Sequence, residues 1–503
     1  MRRWNVDRCL RRTLAAAAMM WAQSALAQSP QPLNHFVSGD ELVGRPPELF
    51  SYLRDDLYTV VDPLDSSVVI INQAGAIAGR SEPLPFAPAN VRDTGAALVF
   101  EEASGQRRAV LSRTVNPAQV GALAIEEGNG ALAPAVAPPA RVRRANARTL
   151  RLDVGGRTLT VRARAGGYLS DAKVLGRDAS GHWYVQSSEV VEGSPQIRTL
   201  VFVQRFLPSA RLKDVAAVPV ADMDTVPSSM VALSADGLVT AIVPTATGVF
   251  LQKLGFESIS ARRDLRPAVA PARTPIQTTV HQTSGLADEP ADVEAAAVTP
   301  PATRDEIVSR AQAFLAINWT MTESNFTRIG IENRCAKTEG KYWLRPSRFT
   351  RASIGRTFGP MPYHWGGGDS PETFRAKLSR GLLAGNICTC REAQYNQCQV
   401  SEAAGVDCSG FVSRTWGVTK HGTSNLHRVA APVPSLGQLK RGDALNRPGS
   451  HVRLFVGFGP GPALTFEVIE SATNRDCEGV CRKTYTAAQL NGYRPMRYVG
   501  IRD

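Results

Sequence analysis

No cysteine falls between residues 28 and 334 of this 503-residue chain, so no disulfide framework can hold that stretch together. Beyond residue 27 no apolar run approaches the length of a bilayer span, which argues against stable membrane insertion of the mature chain. There is no Lys/Arg tract and no interleaved aromatic motif, so nucleic acid is not an expected partner. A fixed repeat is also missing. Glycine turns recur between residues 40 and 257, but at uneven intervals of about 30, 51, 25 and 56 positions. Composition, at 43% hydrophobic and 20% charged, excludes a mainly disordered chain, and the length suits about two to four domains.

The first 27 residues read as an export signal. Arg2, Arg3, Arg8, Arg11 and Arg12 precede an apolar stretch from Leu14 to Leu26 that closes on Ala25-Leu26-Ala27, with cleavage expected after Ala27. The expected location is periplasmic or secreted. Of the net charge of +13, this segment carries +4 and leaves +9, a modest basic excess suited to an anionic surface such as a cell wall.

From residue 28 to 264, β-prone runs flank glycine turns. Val68–Ile71 precedes Gly75, Leu98–Phe100 precedes Gly105, and Leu150–Leu152 precedes Gly155-Gly156. Ala172–Leu175 precedes Gly181, and Val231–Leu233 precedes Gly237. This is the hairpin signal, and it predicts an all-β region, propeller-like or a sandwich, whose partner the sequence does not name. Residues 265–304 form a Pro/Ala/Thr-rich linker. A C-terminal domain of residues 305–503 follows, opening on helical spacing of Ile307, Ala311, Phe314 and Leu315.

Chemistry concentrates in that domain. In Asp407-Cys408-Ser409-Gly410-Phe411-Val412, apolar residues recur so that a helix can begin at Cys408, where free N–H groups and the helix dipole favour a thiolate. Downstream, a strand opens with His451, turns at Gly459-Pro460-Gly461-Pro462, and returns through Leu464–Ile469 to Glu470. If those strand ends meet, Glu470 can orient His451 while His451 takes the proton of Cys408, the logic of acyl transfer by a nucleophile, a base and an orienting group. Glu467 competes with Glu470 for the third place.

These residues resemble the NlpC-type papain-like cysteine peptidases of bacterial cell walls. The resemblance covers roughly residues 350–475 and rests on four motifs in order: Pro362-Tyr363-His364-Trp365-Gly366-Gly367, Asp407-Cys408-Ser409-Gly410-Phe411, Gly442-Asp443, and Ser450-His451-Val452. It implies a papain-like α+β domain hydrolysing amide bonds in peptidoglycan stem peptides, without a cofactor or a metal. By motif position Cys408 is the nucleophile and His451 the base. Tyr363, Asp407 and Ser409 would contact substrate. Two departures stand out: Glu470 occupies a place where many members carry histidine, and an insertion lies between Gly368 and Gly405.

Removing the signal leaves seven cysteines, six besides Cys408: Cys335, Cys388, Cys390, Cys398, Cys477 and Cys481. In an oxidising compartment six can pair fully, with a zinc site as the rival reading. Two other functions remain open on the sequence. One is an amidase or acyltransferase using the same Cys-His pair on lipid or protein; the other is a non-catalytic wall-associated binding protein.

Overall fold

The computed structural model describes residues 31–32, 48–62, 66–127, 140–219, 229–245, 248–258, 301–327, 343–389 and 398–503. The expected signal at 1–27, the linker apart from residues 301–304, and Cys335 and Cys390 lie outside the described residues.

All five hairpins read from glycine turns form, and the strands around them fall into separate small antiparallel sheets. The first holds four strands between Glu48 and Arg80, the second four between Pro88 and Glu127, and the third three between Arg141 and Arg162. The fourth runs through four strands from Tyr168 to Val218 and adds Glu257–Ser258. The fifth takes Val231–Leu233, Val239–Thr245 and Gly248–Lys253, and its outer edge is filled by Gln31–Pro32 from the start of the chain. At Gly237 the turn needs a bare backbone. Its φ is +86°, and a Cβ there would lie 2.6 Å from the Tyr184 hydroxyl.

Farther along, Ala430–Pro432, Ala444–Arg447, His451–Phe458, Thr465–Ala472, Gly479–Thr486 and Arg494–Tyr498 make one six-stranded antiparallel sheet. One face, through Val452, Leu454, Ile469 and Val480, packs on helices Arg304–Ala316 and Cys408–Trp416. The helical spacing is honoured: Ile307, Ala311 and Phe314 are buried, and Thr303 with Glu306 closes a capping box at the first helix's start. The other face, through Phe455, Phe466, Val468 and Tyr485, shares an apolar cluster with Val190 of the fourth N-terminal sheet and Ile197 in the loop that follows its strand. Strand alternation thus gives a sheet buried on both sides.

The expected fold class is corrected at this point. It combined an N-terminal all-β region, as a propeller or sandwich, with a C-terminal α+β papain-like domain. Instead the chain is strand-dominated throughout, and no papain-like α+β domain is evident. The four α-helices among the described residues run only 13, 4, 9 and 9 residues. The buried residues of the central strands here run consecutively, as in strands covered on both faces, and go into the sheet, leaving helix only for the short segments that cover one face.

Candidate functional site

Cys408 is the first residue of helix Cys408–Trp416, which buries Phe411, Val412, Thr415 and Trp416. Asp407 caps it, its Oδ1 accepting from the Gly410 N–H at 2.6 Å and from the Ser409 hydroxyl at 2.9 Å. Its other oxygen takes the Lys420 ammonium at 2.7 Å. Both carboxylate oxygens are therefore occupied by partners within the chain, and Asp407 and Ser409 are themselves buried. A substrate group reaching Asp407 would have to exchange with Lys420. The helix start also meets the Gly366–Gly368 turn closely, since a Cβ on Gly410 would fall 2.3 Å from the Gly367 carbonyl oxygen.

The Cys408 sulfur accepts from the backbone N–H of Val452, the residue next to His451. Helix start and strand start are in contact. Burial pushes the thiol up to about 12, and the Asp407 carboxylate adds to the rise; the N–H groups of Val452 and Ser409 offset only part of it. The expected thiolate is thus replaced by a neutral thiol. The capping carboxylate answers the positive end of the helix dipole that would otherwise have stabilised the anion.

His451 and Glu470 meet as the hairpin predicts. The imidazole Nε2 lies 2.7 Å from Glu470 Oε2. Glu470 is completely buried. Its Oε2 also accepts from Arg453 Nε at 2.7 Å, and its Oε1 accepts from the Tyr485 hydroxyl. Burial alone would raise this carboxyl, but the Arg453 guanidinium and the His451 contact outweigh it and hold the group well below the usual carboxylate range. Arg453 in turn lies over the Tyr485 and Tyr493 rings, 4.3 and 4.5 Å from their centroids. Glu467 sits across from Gly457, is part exposed, and is separated from Glu470 by an odd number of strand positions, hence on the opposite face.

Tyr363 is buried, and its backbone pairs with Val406, two residues before the nucleophile candidate. Next to it His364 is held neutral, pushed down to about 4 by burial, with Nε2 3.0 Å from the Val400 carbonyl oxygen. His421 and His427 each pair with a loop carbonyl. The insertion after Gly368 carries helix Pro371–Ser379 and returns at Ala403–Ala404, which pairs in parallel with Leu383–Ala384. Within it Cys388 and Cys398 are both disulfide-bonded, but not to each other, since their sulfurs are 3.8 Å apart. Cys477 and Cys481 form a disulfide, and Cys408 is the free cysteine among the described residues.

Sequence reasoning missed Arg453, Tyr485 and Lys420. Arg453 carried a usable signal: it is two positions from His451 on one strand and so shares its face. Tyr485 comes from the next strand, where Glu470 pairs with Cys481, a register that no local pattern announces.

No protein-family model matches the sequence, and no curated protein matches it. Among solved structures, a DUF4221 family member from Bacteroides vulgatus aligns over 46% of this chain and 98% of its own at 8% identity, with a TM-score of 0.30. A protein of Bacteroides fragilis described as exported covers 47% of this chain and 96% of its own at 7% identity and a TM-score of 0.24. The C-terminal WD40 domain of Sif2 covers 42% and 70% at 11% identity and a TM-score of 0.16. With TM-scores this low, none of them lends its fold or function to this chain. No helix among the described residues is long and apolar enough to cross a membrane.

Proposed function

We propose that this protein is an exported cysteine peptidase that hydrolyses amide bonds in peptidoglycan stem peptides, with Cys408 as nucleophile, His451 as base and Glu470 as the group that holds the imidazole. The observation that carries this reading is the 2.7 Å contact of His451 Nε2 with a buried, ionised Glu470, together with a helix-start thiol that accepts from the N–H of Val452, the residue after His451. The motif resemblance supplies the substrate class; the geometry supports the chemistry.

In this mechanism the His451 imidazole takes the Cys408 proton as sulfur attacks the scissile carbonyl, so the S–C bond forms while the proton moves. The imidazolium is stabilised by Glu470. It returns the proton to the leaving amine as the C–N bond breaks, and water, deprotonated by the same imidazole, then hydrolyses the thioester. The buried thiol near 12 makes this a general-base attack in place of a preformed ion pair. Digestion of purified peptidoglycan followed by mass spectrometry tests it. Wild-type protein should release shortened stem peptides and Cys408→Ala should not; unchanged wall peptides with the wild type would overturn the reading.

A further inference from the structure

A cavity of about 840 Å³ lies in the N-terminal region and is lined by none of the residues around Cys408. Its wall has an orderly origin. One strand of each of the five sheets contributes: Glu48–Arg54, Pro88–Asp93, Arg141–Asn146, Tyr168–Arg177 and Val231–Leu233 all border it. The size falls in the range of small-molecule sites. Much of the lining is aliphatic, from Val91, Val142, Val174, Leu175 and Val231.

Four charged side chains reach this wall, and two of them are spent. Arg92 pairs with Glu101 at 3.0 Å, and Asp93 pairs with Arg113. Asp171 and Lys173 are different. They stand two positions apart on one strand, hence on one face. Beyond the Ala172 backbone N–H that Asp171 accepts, neither has an ion pair or side-chain hydrogen bond among the described residues, although each feels the other's charge. Asp171 is half-buried and Lys173 exposed at this wall, so both groups are open to a ligand; the surrounding sheets push the Asp171 carboxyl up and the Lys173 ammonium down.

We propose that this cavity binds a small zwitterion, an aliphatic amino acid or a short peptide with both ends free, its ammonium at Asp171 and its carboxylate at Lys173. A simple anion drawn to Lys173 would meet Asp171 at the same wall, and a simple cation the reverse. A molecule bearing both charges satisfies both residues, and the aliphatic wall takes its side chains. The site is independent of the chemistry proposed for Cys408, so its test uses protein in which that chemistry is removed.

Calorimetric titration of full-length Cys408→Ala protein with the dipeptide Ala-Val, its N-acetyl form and its C-terminal amide provides the test. The free dipeptide should bind, and blocking either end should weaken binding by about tenfold or more. Asp171→Asn should bind the free and N-acetyl forms alike, and Lys173→Gln the free and amidated forms alike. Thermal melting of the two variants distinguishes a structural role. Removing an unpaired charge should leave the melting temperature unchanged or raised, whereas a clear fall in both would assign the pair to the fold. Equal binding of free and blocked dipeptides, or no binding of any of them at millimolar concentration, would overturn the proposal.

Discussion

At the scale of single residues, the site holds a neutral thiol against the Val452 backbone and an imidazole fixed by a buried carboxylate. Replacing Cys408 or His451 by Ala should lower turnover on wall peptides by about 10⁴ to 10⁶, and the double variant should lose little more, because the two act as one unit. Glu470→Gln should cost less, since it supports the proton transfer and leaves the nucleophile in place. Glu467→Gln serves as the control; greater damage there would contradict the observed register. Alkylation reports the thiol directly. With the thiol near 12, its rate of reaction with iodoacetamide in folded protein should keep climbing above pH 9, and a plateau reached below pH 7 would reveal a preformed thiolate instead. Arg453 sets the carboxylate. Because the folded Glu470 is depressed, the stability it brings is present above its unfolded value near pH 4.3 and fades only as pH falls through the lower folded value. Arg453→Met removes the main partner, so unfolding in urea should show a loss of about 3–5 kcal/mol, with the acid limb moved to higher pH. The catalytic candidates were legible because hairpin and helix spacing fix where they stand; Arg453 and Tyr485 were not, because their roles depend on cross-strand register.

At the scale of elements, the helix from Cys408 to Trp416 owes its position to a glycine. Its apolar face was readable from Phe411, Val412, Thr415 and Trp416, but the reason for Gly410 was not: the Gly367 carbonyl arrives from a loop some forty positions upstream. Gly410→Ala should displace the helix start from that carbonyl, destabilising the protein by about 1–3 kcal/mol and lowering turnover with it. Unchanged stability on thermal melting would show that the approach is not enforced. The five N-terminal hairpins were legible for an equally local reason, since each turn carries its own glycine. The large C-terminal sheet was not. Its edge strand Ala430–Pro432 and the neighbouring Arg494–Tyr498 contain proline and arginine at places where strand patterns expect apolar residues, so they give little signal alone and form by pairing with neighbours. That is how a helix-and-small-sheet expectation gave way to a strand-dominated chain.

At the scale of the whole molecule, the two regions are joined by more than the stretch between them. Val190 and Ile197 enter the apolar cluster behind His451 and Glu470. Backbone bonds run both ways at one point, Ile197 N–H to the Tyr493 carbonyl and Gly492 N–H to the Ile197 carbonyl, each 2.8 Å. Tyr493 is one of the rings beneath Arg453. A protease cutting within residues 265–300 should therefore leave both halves migrating together on size exclusion, and elution as two separate species would count against this interface. The composition shift that marks the linker says nothing of this contact, because docking of one folded region on another leaves no local pattern.

The pairing of Gln31–Pro32 with Gly248–Lys253 has a consequence for biogenesis. Gln31 is made first and Leu251, its partner, about 220 residues later. At ordinary rates of synthesis the opening segment waits on the order of 10 to 45 s for its edge to exist. That edge is therefore completed only after Gly248–Lys253 has been made, and nascent chains stopped short of residue 253 would leave the opening segment without its partner strand.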